Sequence, residues 1–328
     1  MGKALISIII PVYNAAKYLG TSLKDVTGQS YENLEIIAVN DGSSDDSLKI
    51  LEGFAENDPR IRVLNKENGG SSSARNAGLK AATGDYIGFM DADDHIESDM
   101  YENLAGILDS DPGTDVAQIL SCEETDEGKT VKAFGEGFDK SESFTGKEFL
   151  RALLRHKGDS SFCTKLFRKE FFEGFSFSEG RLNEDFELLV SMCEKIRVLK
   201  VCERPGYHII LREQSNTRGV FKQSFYENVM ENADRMIALT EEKYPDLKNE
   251  AIHFYLMQAM WFLLHIPVSE MKPENDLYVR VISKVKSCKW FILKDKDLGG
   301  KHRRNLILFA FFPAKTIKKL HESLKSRK

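Results

Sequence analysis

Short apolar runs alternate with segments of helical periodicity along the first hundred residues of the chain. The run at residues 5–11 is almost continuously apolar and rich in isoleucine, as is typical of a strand buried on both faces of a sheet. Comparable runs follow at residues 34–39, 61–64 and 86–90, and the segments between them predict amphipathic helices. The alternation predicts an α/β fold in which a mostly parallel sheet is flanked by helices.

The pattern changes at about residue 223, beyond which helical periodicity dominates. Phe225, Val229 and Ala233 recur at helical spacing, and the segment 252–266 is strongly apolar and aromatic. We therefore expect a helical C-terminal extension after the α/β region.

Length and composition allow one large α/β domain with a smaller appendage, because the chain has 328 residues, of which 41% are hydrophobic. No apolar stretch reaches the roughly 18 to 20 residues that a membrane-spanning helix needs, and Lys3 leads directly into the first predicted strand without a signal-peptide pattern. A cytoplasmic protein is the resulting expectation. The five cysteines are scattered and form no C-x-x-C pair, which favours reduced thiols over a zinc or disulfide framework.

Charge is distributed unevenly along the chain. The net charge of -5 argues against nucleic acid as a partner, but residues 301–328 hold nine Lys or Arg and a single acidic residue, Glu322. This basic tail also contains the apolar segment 305–312, which is too short to span a bilayer. Its composition suits either an amphipathic anchor on the anionic inner face of the cell membrane or a helix packed on the protein itself or on a partner subunit of a homodimer.

Polar side chains follow three of the four predicted strands, at the point where each strand ends. Tyr13 and Asn14 come after the first strand, Asp41 after the second, and Asp91 and Asp93 after the fourth. Because ligands of open α/β sheets bind beyond the carboxyl ends of the strands, we expect these side chains to face a common crevice.

Asp91 and Asp93 are separated by one residue in an extended turn. Two carboxylates at this spacing can bind one hard divalent cation, which would also bind the two phosphates of a nucleotide diphosphate. The alternative interpretation is a helix N-terminus at which Asp93 or Asp94 caps the following helix.

Three further residues suit the recognition of a nucleotide at the same crevice. Asp41 can accept hydrogen bonds from a base or a ribose, with help from Asp45 in the next turn, although an Asx-turn explains Asp41 equally well. Arg75, in the first turn of a predicted helix, can bind a diphosphate or hold one of the aspartates in place, and its plain alternative is a solvated arginine.

Four motifs in this region resemble the signature of glycosyltransferase family 2. They are IIIPVYN at residues 8–14, NDGSSD at 40–45, NGG at 68–70 with SARNAG at 73–78, and DADD at 91–94. The resemblance is close over the first hundred residues and looser to about residue 220. It implies the GT-A fold, a nucleotide-diphosphate sugar as the donor with UDP favoured, Mn²⁺ or Mg²⁺ as the cofactor, and inversion of the anomeric centre.

The resemblance also implies roles for individual residues that match the family's motifs, and the first of these concern the donor site. The resemblance implies that Pro11, Tyr13 and Asp41 line a uridine pocket, with Asp41 meeting the base. Asp91 and Asp93 match the DxD element, with Asp93 as the more direct metal ligand. The predicted donor-binding set is completed by Asn14, Asp45, Arg75 and His208.

A later motif provides a candidate general base. NED at residues 183–185 resembles the Glu-Asp motif of the family, so Asp185 is expected to deprotonate the acceptor hydroxyl. Without the resemblance, Glu184 and Asp185 suit the acidic first turn of an amphipathic helix. Weaker matches lie before and after this motif, at residues 163–168 and at 207–217, and the second includes His208 and Arg212.

The resemblance also implies an organisation and an activity. Residues 1–220 form the expected GT-A catalytic domain, with a nucleotide-binding half at 1–100 and an acceptor half at 101–220, and residues 221–328 form the helical C-terminal region with its basic tail. The Gln-x-x-Arg-Trp element of processive synthases is absent, which favours a single addition to a saccharide or lipid-linked acceptor in surface polysaccharide or glycolipid synthesis. A sugar-1-phosphate nucleotidyltransferase and an inactive nucleotide-binding scaffold are the alternatives.

Overall fold

The structure, a computed structural model, describes residues 2–181, 183–212 and 221–325. The chain divides into two compact units, Met1–Thr217 and Arg218–Lys328. The first unit contains the sheet, and the second is helical.

Ten strands lie in the described part of the first unit. They are β1 (Ile6–Val12), β2 (Leu34–Asp41), β3 (Ile61–Lys66), β4 (Tyr86–Phe89), β5 (His95–Ile96), β6 (Val116–Thr125), β7 (Thr130–Lys132), β8 (Ser143–Phe144), β9 (Lys165–Arg168) and β10 (Leu199–Leu211). The α-helices of this unit are α1 (Ala16–Thr27), α2 (Ser47–Asn57), α3 (Ser71–Ala81), α4 (Met100–Ser110), α5 (Gly146–Leu154) and α6 (Glu184–Met192). The predicted alternation of strands and helices is thus present over the first hundred residues.

All the strands belong to one sheet with the order β3-β2-β1-β4-β9-β6-β10-β5, to which β7 adds next to β6 and β8 next to β10. Strands β1 to β4 pair in parallel, so β1, β2 and β4 end at the same edge. Beyond β4 the sheet is mixed, because β9 runs antiparallel to both β4 and β6. The predicted α/β class with a helical C-terminal region is confirmed, and the predicted parallel pairing describes the first four strands best.

The continuous isoleucine run of the first strand is explained by its central position in the sheet. Ile6, Ile8, Ile9 and Ile10 have no exposed surface, because β1 lies between β2 and β4 and helices cover the sheet. Burial of each such side chain contributes about 1.5–3 kcal/mol to folding. The core of the first unit is therefore built around the strand that ends at the predicted crevice.

Helix α3 packs closely on β1 because Gly78 has no Cβ. A Cβ atom at Gly78 would lie 2.4 Å from Cγ2 of Ile9, well inside van der Waals contact. Arg75, one turn earlier on the same helix, is buried. The close packing holds the backbone of Arg75 against the sheet.

The second unit consists of helices in the described residues. They are α7 (Gln223–Lys243), α8 (Lys248–His265), α9 (Asp276–Ser287), α10 (Lys289–Lys294), α11 (Gly300–Phe311) and α12 (Ala314–Lys325). Helices α7 and α8 pack through aromatic side chains, with the rings of Tyr226 and Phe262 5.5 Å apart. Among the helices that the structure describes, none has both the length and the hydropathy that a bilayer crossing requires.

Candidate active site

A cavity of about 470 Å³ opens at the edge where β1, β2 and β4 end. It is lined by Pro11, Val12, Tyr13, Asn14, Ala15, Tyr18, Asp41, Asn68, Gly70, Ser71, Ala74, Asp91, Ala92 and Asp93. Six of the residues predicted for donor and metal binding are in this set, although they come from three separate strand ends. They lie together because β2, β1 and β4 pair in parallel and therefore end at the same edge of the sheet, where ligands of open α/β sheets bind.

The DADD turn is held in place by strand β10. The Tyr207 hydroxyl donates to Oδ2 of Asp94 at 2.9 Å and accepts from the backbone N–H of Asp91 at 3.1 Å. The other oxygen of Asp94 accepts from the backbone N–H of Ile210 at 2.9 Å. Asp94 is buried, and burial raises its pKa well above the ordinary value. The helix-cap interpretation of this turn is wrong, since β5 follows it and helix α4 begins only at Met100.

Asp91 and Asp93 present carboxylates side by side at the cavity. Their side chains are 40% and 43% exposed, respectively. Burial, and then the neighbouring Asp91 carboxylate, raise the pKa of Asp93. A divalent cation would relieve this repulsion between like charges, and carboxylate oxygens are the hard ligands that Mn²⁺ and Mg²⁺ prefer. The donor set therefore fits the cation that the DxD motif implies.

Arg75 connects the DADD turn to helix α6. Its Nη2 donates to Oδ1 of Asp91 at 3.0 Å, while Nη1 donates to Oε1 of Glu184 at 3.1 Å and to Oδ1 of Asp185 at 3.0 Å. The guanidinium also lies 5.5 Å from the ring centroid of Phe177. Burial opposes the charge of Arg75, but the three carboxylates outweigh it and raise the pKa above its ordinary value.

These contacts decide between the sequence interpretations of Arg75. The solvated arginine is excluded, since Arg75 is buried. Its polar contacts go to carboxylates, and it is not among the residues that line the cavity. The structure thus favours a role in holding the acidic side chains over the predicted direct contact with the donor.

Asp185 lies in the first turn of α6, whose N-terminus is set by Asn183 in the left-handed conformation with φ of 68°. Burial raises the pKa of Asp185 to about 6, with Arg75 acting against the rise and Glu184 and Asp91 adding to it. The side chain keeps 28% of its surface exposed. A carboxylate with a pKa of about 6 and a partly exposed side chain is suited to accept a proton near neutral pH.

Glu184 was not singled out by the sequence as a site residue, although it adjoins the candidate base. Its Oε1 accepts from the hydroxyl of Ser71 at 2.9 Å as well as from Arg75. Because Ser71 lines the cavity, Glu184 links α6 to the cavity wall.

Asp41 lines the cavity, but both oxygens of its carboxylate accept hydrogen bonds from other residues of the protein. Oδ1 accepts from Lys66 Nζ at 2.6 Å and from the N–H of Gly69 at 3.0 Å, and Oδ2 accepts from the N–H groups of Gly69 and Gly70 at 3.2 and 2.7 Å. The backbone oxygen of Asp41 accepts from Nδ2 of Asn68 at 2.9 Å. Asp41 therefore shapes the Gly-Gly loop, and its predicted contact with a base would compete with these bonds.

Asn14 and Asp45 organise the turns beside the cavity. Asn14 has φ of 49°, and its Oδ1 accepts from the N–H of Ser44 at 2.8 Å. Asp45 accepts from the N–H groups of Ala16 and Ser47, both at 3.0 Å. Asn14 lines the cavity, whereas Asp45 does not, because its carboxylate is turned toward the start of α1. The predicted donor contact of Asp45 is not supported by this position.

Arg212, which directly follows β10, contacts the DADD turn. The resemblance places it in the segment 207–217, where a histidine or an arginine can approach the diphosphate or the metal. Its Nε donates to Oδ2 of Asp93 at 3.1 Å, and it also bonds Asp126. The guanidinium carbon lies 3.3 Å from the ring centroid of Tyr18, which lines the cavity. A contact across 119 positions in the chain has no local signal in a sequence.

Comparison with known proteins identifies the family. The family model described as Glycosyl transferase family 2 matches residues 7–175, about half of the chain. The glycosyltransferase GlyG of Streptococcus pneumoniae serotype 4 is 35% identical over 55% of this chain and 62% of GlyG. The chain belongs to glycosyltransferase family 2. This membership sets the nucleotidyltransferase alternative aside.

Solved structures of glycosyltransferases show the same fold at low sequence identity. S. aureus TarS 1-349 in complex with UDP-GlcNAc has a TM-score of 0.69 and 20% identity, and the match covers 97% of this chain and 92% of that one. The mannosyltransferase PcManGT from Pyrobaculum calidifontis, in complex with GDP-Man and Mn²⁺, has a TM-score of 0.52 and 16% identity, covering 98% and 88%. These matches confirm the GT-A fold. The chain spans less than two thirds of GlyG.

His208, which the resemblance adds to the donor-binding set, is not among the residues that line the cavity. The parallel register of β10 on β6 sets His208 beside Cys122, with His208 Nδ1 3.4 Å from Cys122 Sγ. Its Nε2 lies 3.1 Å from Oε1 of Glu97. Ser215 and Thr217, which the sequence groups with His208, lie outside the described residues.

The weaker match at residues 163–168 forms part of the core. Lys165 is fully buried, and its Nζ donates to the backbone oxygens of Asp159 and Ser161, both at 2.7 Å. Burial lowers the pKa of Lys165. Its contacts are those of a side chain that holds a loop in place.

Proposed function

We propose that this glycosyltransferase is a non-processive, inverting enzyme that transfers a sugar from a UDP-sugar to an acceptor hydroxyl. One observation carries the proposal: the Arg75 guanidinium bonds both Asp91, at the predicted cation site, and Asp185, the candidate base. An inverting transfer is a single displacement, so the base and the group that departs must flank the same anomeric carbon. Because both Asp91 and Asp185 bond to Arg75, the predicted cation ligand and the candidate base lie close enough to act on one sugar.

The donor is proposed to occupy the cavity at the ends of β1, β2 and β4. Exposed Tyr13 offers a ring to the base, and the loop shaped by Asp41 and Gly70 closes the side where the nucleoside would lie. A cavity of about 470 Å³ is within the range of about 300–1,000 Å³ that small-molecule sites occupy. The similarity to TarS, which binds UDP-GlcNAc, supports UDP as the nucleotide.

Mn²⁺ or Mg²⁺ is proposed as the cofactor, held by Asp93 and Asp91. When bound, such an ion neutralises the charge that develops on a departing diphosphate. PcManGT binds Mn²⁺ together with GDP-Man, which supports a divalent cation in this fold. The two aspartates each keep an oxygen that makes no hydrogen bond within the described residues, Oδ2 of Asp91 and Oδ1 of Asp93.

The transfer itself follows from the position of Asp185. Its carboxylate takes the proton of the acceptor hydroxyl as that oxygen attacks the anomeric carbon from the face opposite the diphosphate. The bond from the anomeric carbon to the diphosphate oxygen breaks in the same step, so the configuration inverts and the nucleotide diphosphate departs. Arg75 fixes the orientation of Asp185 throughout.

The acceptor is proposed to be a saccharide or lipid-linked saccharide of surface polysaccharide or glycolipid synthesis, reached by peripheral contact with the inner face of the membrane. The exposed side chains of Phe311, Phe312, Leu320 and Leu324 in the second unit support this contact. Leu320 and Leu324 are one helical turn apart on α12, and Lys319 is exposed beside them. Leu306 and Phe309 of α11 are buried, so only the exposed side chains are available for such a contact. The same exposed side chains also suit an interface between two copies in a homodimer.

A donor screen tests the proposal. The full chain is incubated with UDP-, GDP- and TDP-sugars and a panel of acceptors, and the release of free nucleotide diphosphate is measured with and without Mn²⁺. We expect release from UDP-sugars, loss of cation-dependent UDP binding in Asp93→Ala, and retained UDP binding without transfer in Asp185→Asn. Binding without turnover on every acceptor would instead favour a scaffold, and equal loss of donor affinity in Asp185→Asn would remove it from the base role.

A further inference from the structure

A second cluster of potential metal ligands lies between strands β6 and β10, outside the cavity of the proposed function. Cys122 and Glu124 are two residues apart on β6, so their side chains share one face of the sheet. His208 of β10 is in register with Cys122. The sulfur of Cys122 lies 3.4 Å from Nδ1 of His208 and 3.5 Å from Oε1 of Glu124, and these two atoms are 3.4 Å apart.

These three distances match the spacing of ligands around a tetrahedral zinc ion. With zinc–ligand bonds of about 2.0–2.3 Å, neighbouring ligand atoms of a tetrahedron lie about 3.4–3.6 Å apart. Thiolate, imidazole and carboxylate are the three ligand types that zinc takes from proteins. The three ligand atoms thus already form one face of such a tetrahedron.

Glu97 supplies the outer contact that metal-binding histidines commonly have. Its Oε1 lies 3.1 Å from Nε2 of His208, on the opposite side of the ring from the cluster. A proton held on Nε2 by this carboxylate leaves the lone pair of Nδ1 free to bind a cation. The ring of Phe134 packs edge-on against the imidazole, with the centroids 5.1 Å apart, and restricts its rotation.

The cluster is only partly exposed to solvent. Cys122 is buried, whereas Glu124 and His208 each keep 19% of their side-chain surface exposed. Glu124 also lines a cavity of about 280 Å³, which gives an ion a route to the site. A fourth ligand position can therefore be filled by water.

We propose that Cys122, Glu124 and His208 bind a zinc ion through Sγ, Oε1 and Nδ1. The Cys122 thiol loses its proton to solvent when the bond to zinc forms, and no oxidant or reductant takes part. This site goes beyond the proposed function. The soft sulfur and nitrogen ligands select zinc here, whereas the oxygen ligands Asp91 and Asp93 select Mn²⁺ or Mg²⁺. An ion at this place joins β6 to β10, the strand that supports the DADD turn through Tyr207.

The sequence argued against zinc because no C-x-x-C pair is present, but this cluster draws its ligands from two strands. Without a cation, the same atoms would form only a hydrogen-bonded set in which the thiol donates to the imidazole or the carboxylate. Cobalt separates the two arrangements, since Co²⁺ takes the place of zinc and a Co²⁺–thiolate bond produces a charge-transfer absorption that a hydrogen bond does not.

The full chain is titrated with Co²⁺ and then with Zn²⁺, and the charge-transfer band is recorded. We expect the band to develop in the parent protein and to disappear when Zn²⁺ displaces Co²⁺ from the thiolate. Cys122→Ser removes the band, while Cys202→Ser, a change to a partly exposed cysteine outside the cluster, keeps it. Glu97→Gln keeps the band and lowers zinc affinity about 10–100-fold, as loss of an outer contact does.

Absence of the band in the parent protein overturns the proposal, as does a band that survives Cys122→Ser or disappears in Cys202→Ser. If Cys122→Ser fails to fold, His208→Gln gives the same decision, because it removes a ligand and leaves the thiol in place. Asp93→Ala must retain the band, and this result also separates the zinc site from the cation site of the proposed function. Failure of the zinc test leaves the donor screen unaffected.

Discussion

Asp185 is subject to opposing influences. Burial, Glu184 and Asp91 disfavour its charge, and Arg75 favours it, with a pKa of about 6 as the result. Because a general base acts in its deprotonated form, we expect kcat/KM to rise with pH through about 6 and to level off above it. Replacement by Asn, which cannot accept the proton, should lower kcat about 10²- to 10⁴-fold. A pH profile that is flat between 5 and 8 in the parent enzyme would contradict the assignment of Asp185 as the base.

Arg75→Lys tests the electrostatic coupling at this residue. Lysine keeps the positive charge but cannot donate to Asp91, Glu184 and Asp185 at once, since it lacks the planar fork of arginine. The ionised form of Asp185 is then stabilised less by the neighbouring positive charge, so the pKa of Asp185 rises further. The acid limb of the kcat/KM profile therefore moves to higher pH.

The measurement for Arg75→Lys is the pH dependence of kcat/KM beside that of Arg62→Lys, in which an exposed arginine of β3 is changed. Arg62 donates to the backbone oxygen of Ala81 and contacts no acid of the site. An unchanged acid limb in Arg75→Lys, or an equal shift in both variants, would show that Arg75 does not control Asp185.

Residues of the site could be predicted from the sequence where they follow strands, and less well where they depend on distant partners. The place of Asp91 and Asp93 at the cavity could be predicted because they directly follow a buried strand. The position of His208 outside the cavity lining could not be predicted, because it depends on the register of β10 against β6. Arg212 was named only through the resemblance, and its contact with Asp93 could not be predicted because the two residues are far apart in the chain. Asp45 has the same side chain as Asp41, but it points toward the start of α1 and does not line the cavity, a difference that the sequence does not show.

At the level of elements, the contact between α3 and β1 sets the position of Arg75. Gly78→Ala places a Cβ against Ile9, so we expect a loss of about 1–3 kcal/mol in the free energy of unfolding, as overpacking produces. Urea denaturation of the full chain measures it. Gly53→Ala in α2 is the matched control, because its Cβ meets no atom within 4 Å. Alanine there should stabilise the helix by up to about 1 kcal/mol, and equal effects at both glycines would contradict the packing argument.

Elements with a strong hydrophobic period were predictable, and those defined by pairing were not. Strands β1, β2 and β4 appear as apolar runs, and Leu19, Leu23 and Val26 form the buried side of α1 as their spacing indicates. Strand β9 has only four residues, one of which is the buried Lys165. Its antiparallel insertion between β4 and β6 depends on partners that no local pattern reports. The antiparallel pairing in the mixed half of the sheet therefore could not be predicted from the sequence.

At the scale of the whole molecule, the basic tail differs in character from the acidic remainder of the chain. Exposed leucines on α12 lie beside exposed Lys315 and Lys319, a combination typical of helices that rest on an anionic membrane. Removal of the entire tail would also remove the buried Leu306 and Phe309 of α11, so loss of binding after such a deletion could reflect damage to the helical unit. Substitution of exposed side chains avoids this difficulty.

We therefore expect Leu320→Ser with Leu324→Ser to reduce binding of the full chain to vesicles that contain anionic lipid. Binding by the parent protein should weaken with added salt and be much lower on neutral vesicles, because screening and loss of lipid charge both remove the attraction of the lysines. Val131→Ser, which changes an exposed valine of β7, is the control and should bind as the parent does. Cosedimentation with vesicles and sedimentation velocity without them distinguish the outcomes. If the double variant binds vesicles normally but converts a dimer to a monomer, the leucines form a subunit interface, and the membrane proposal is wrong.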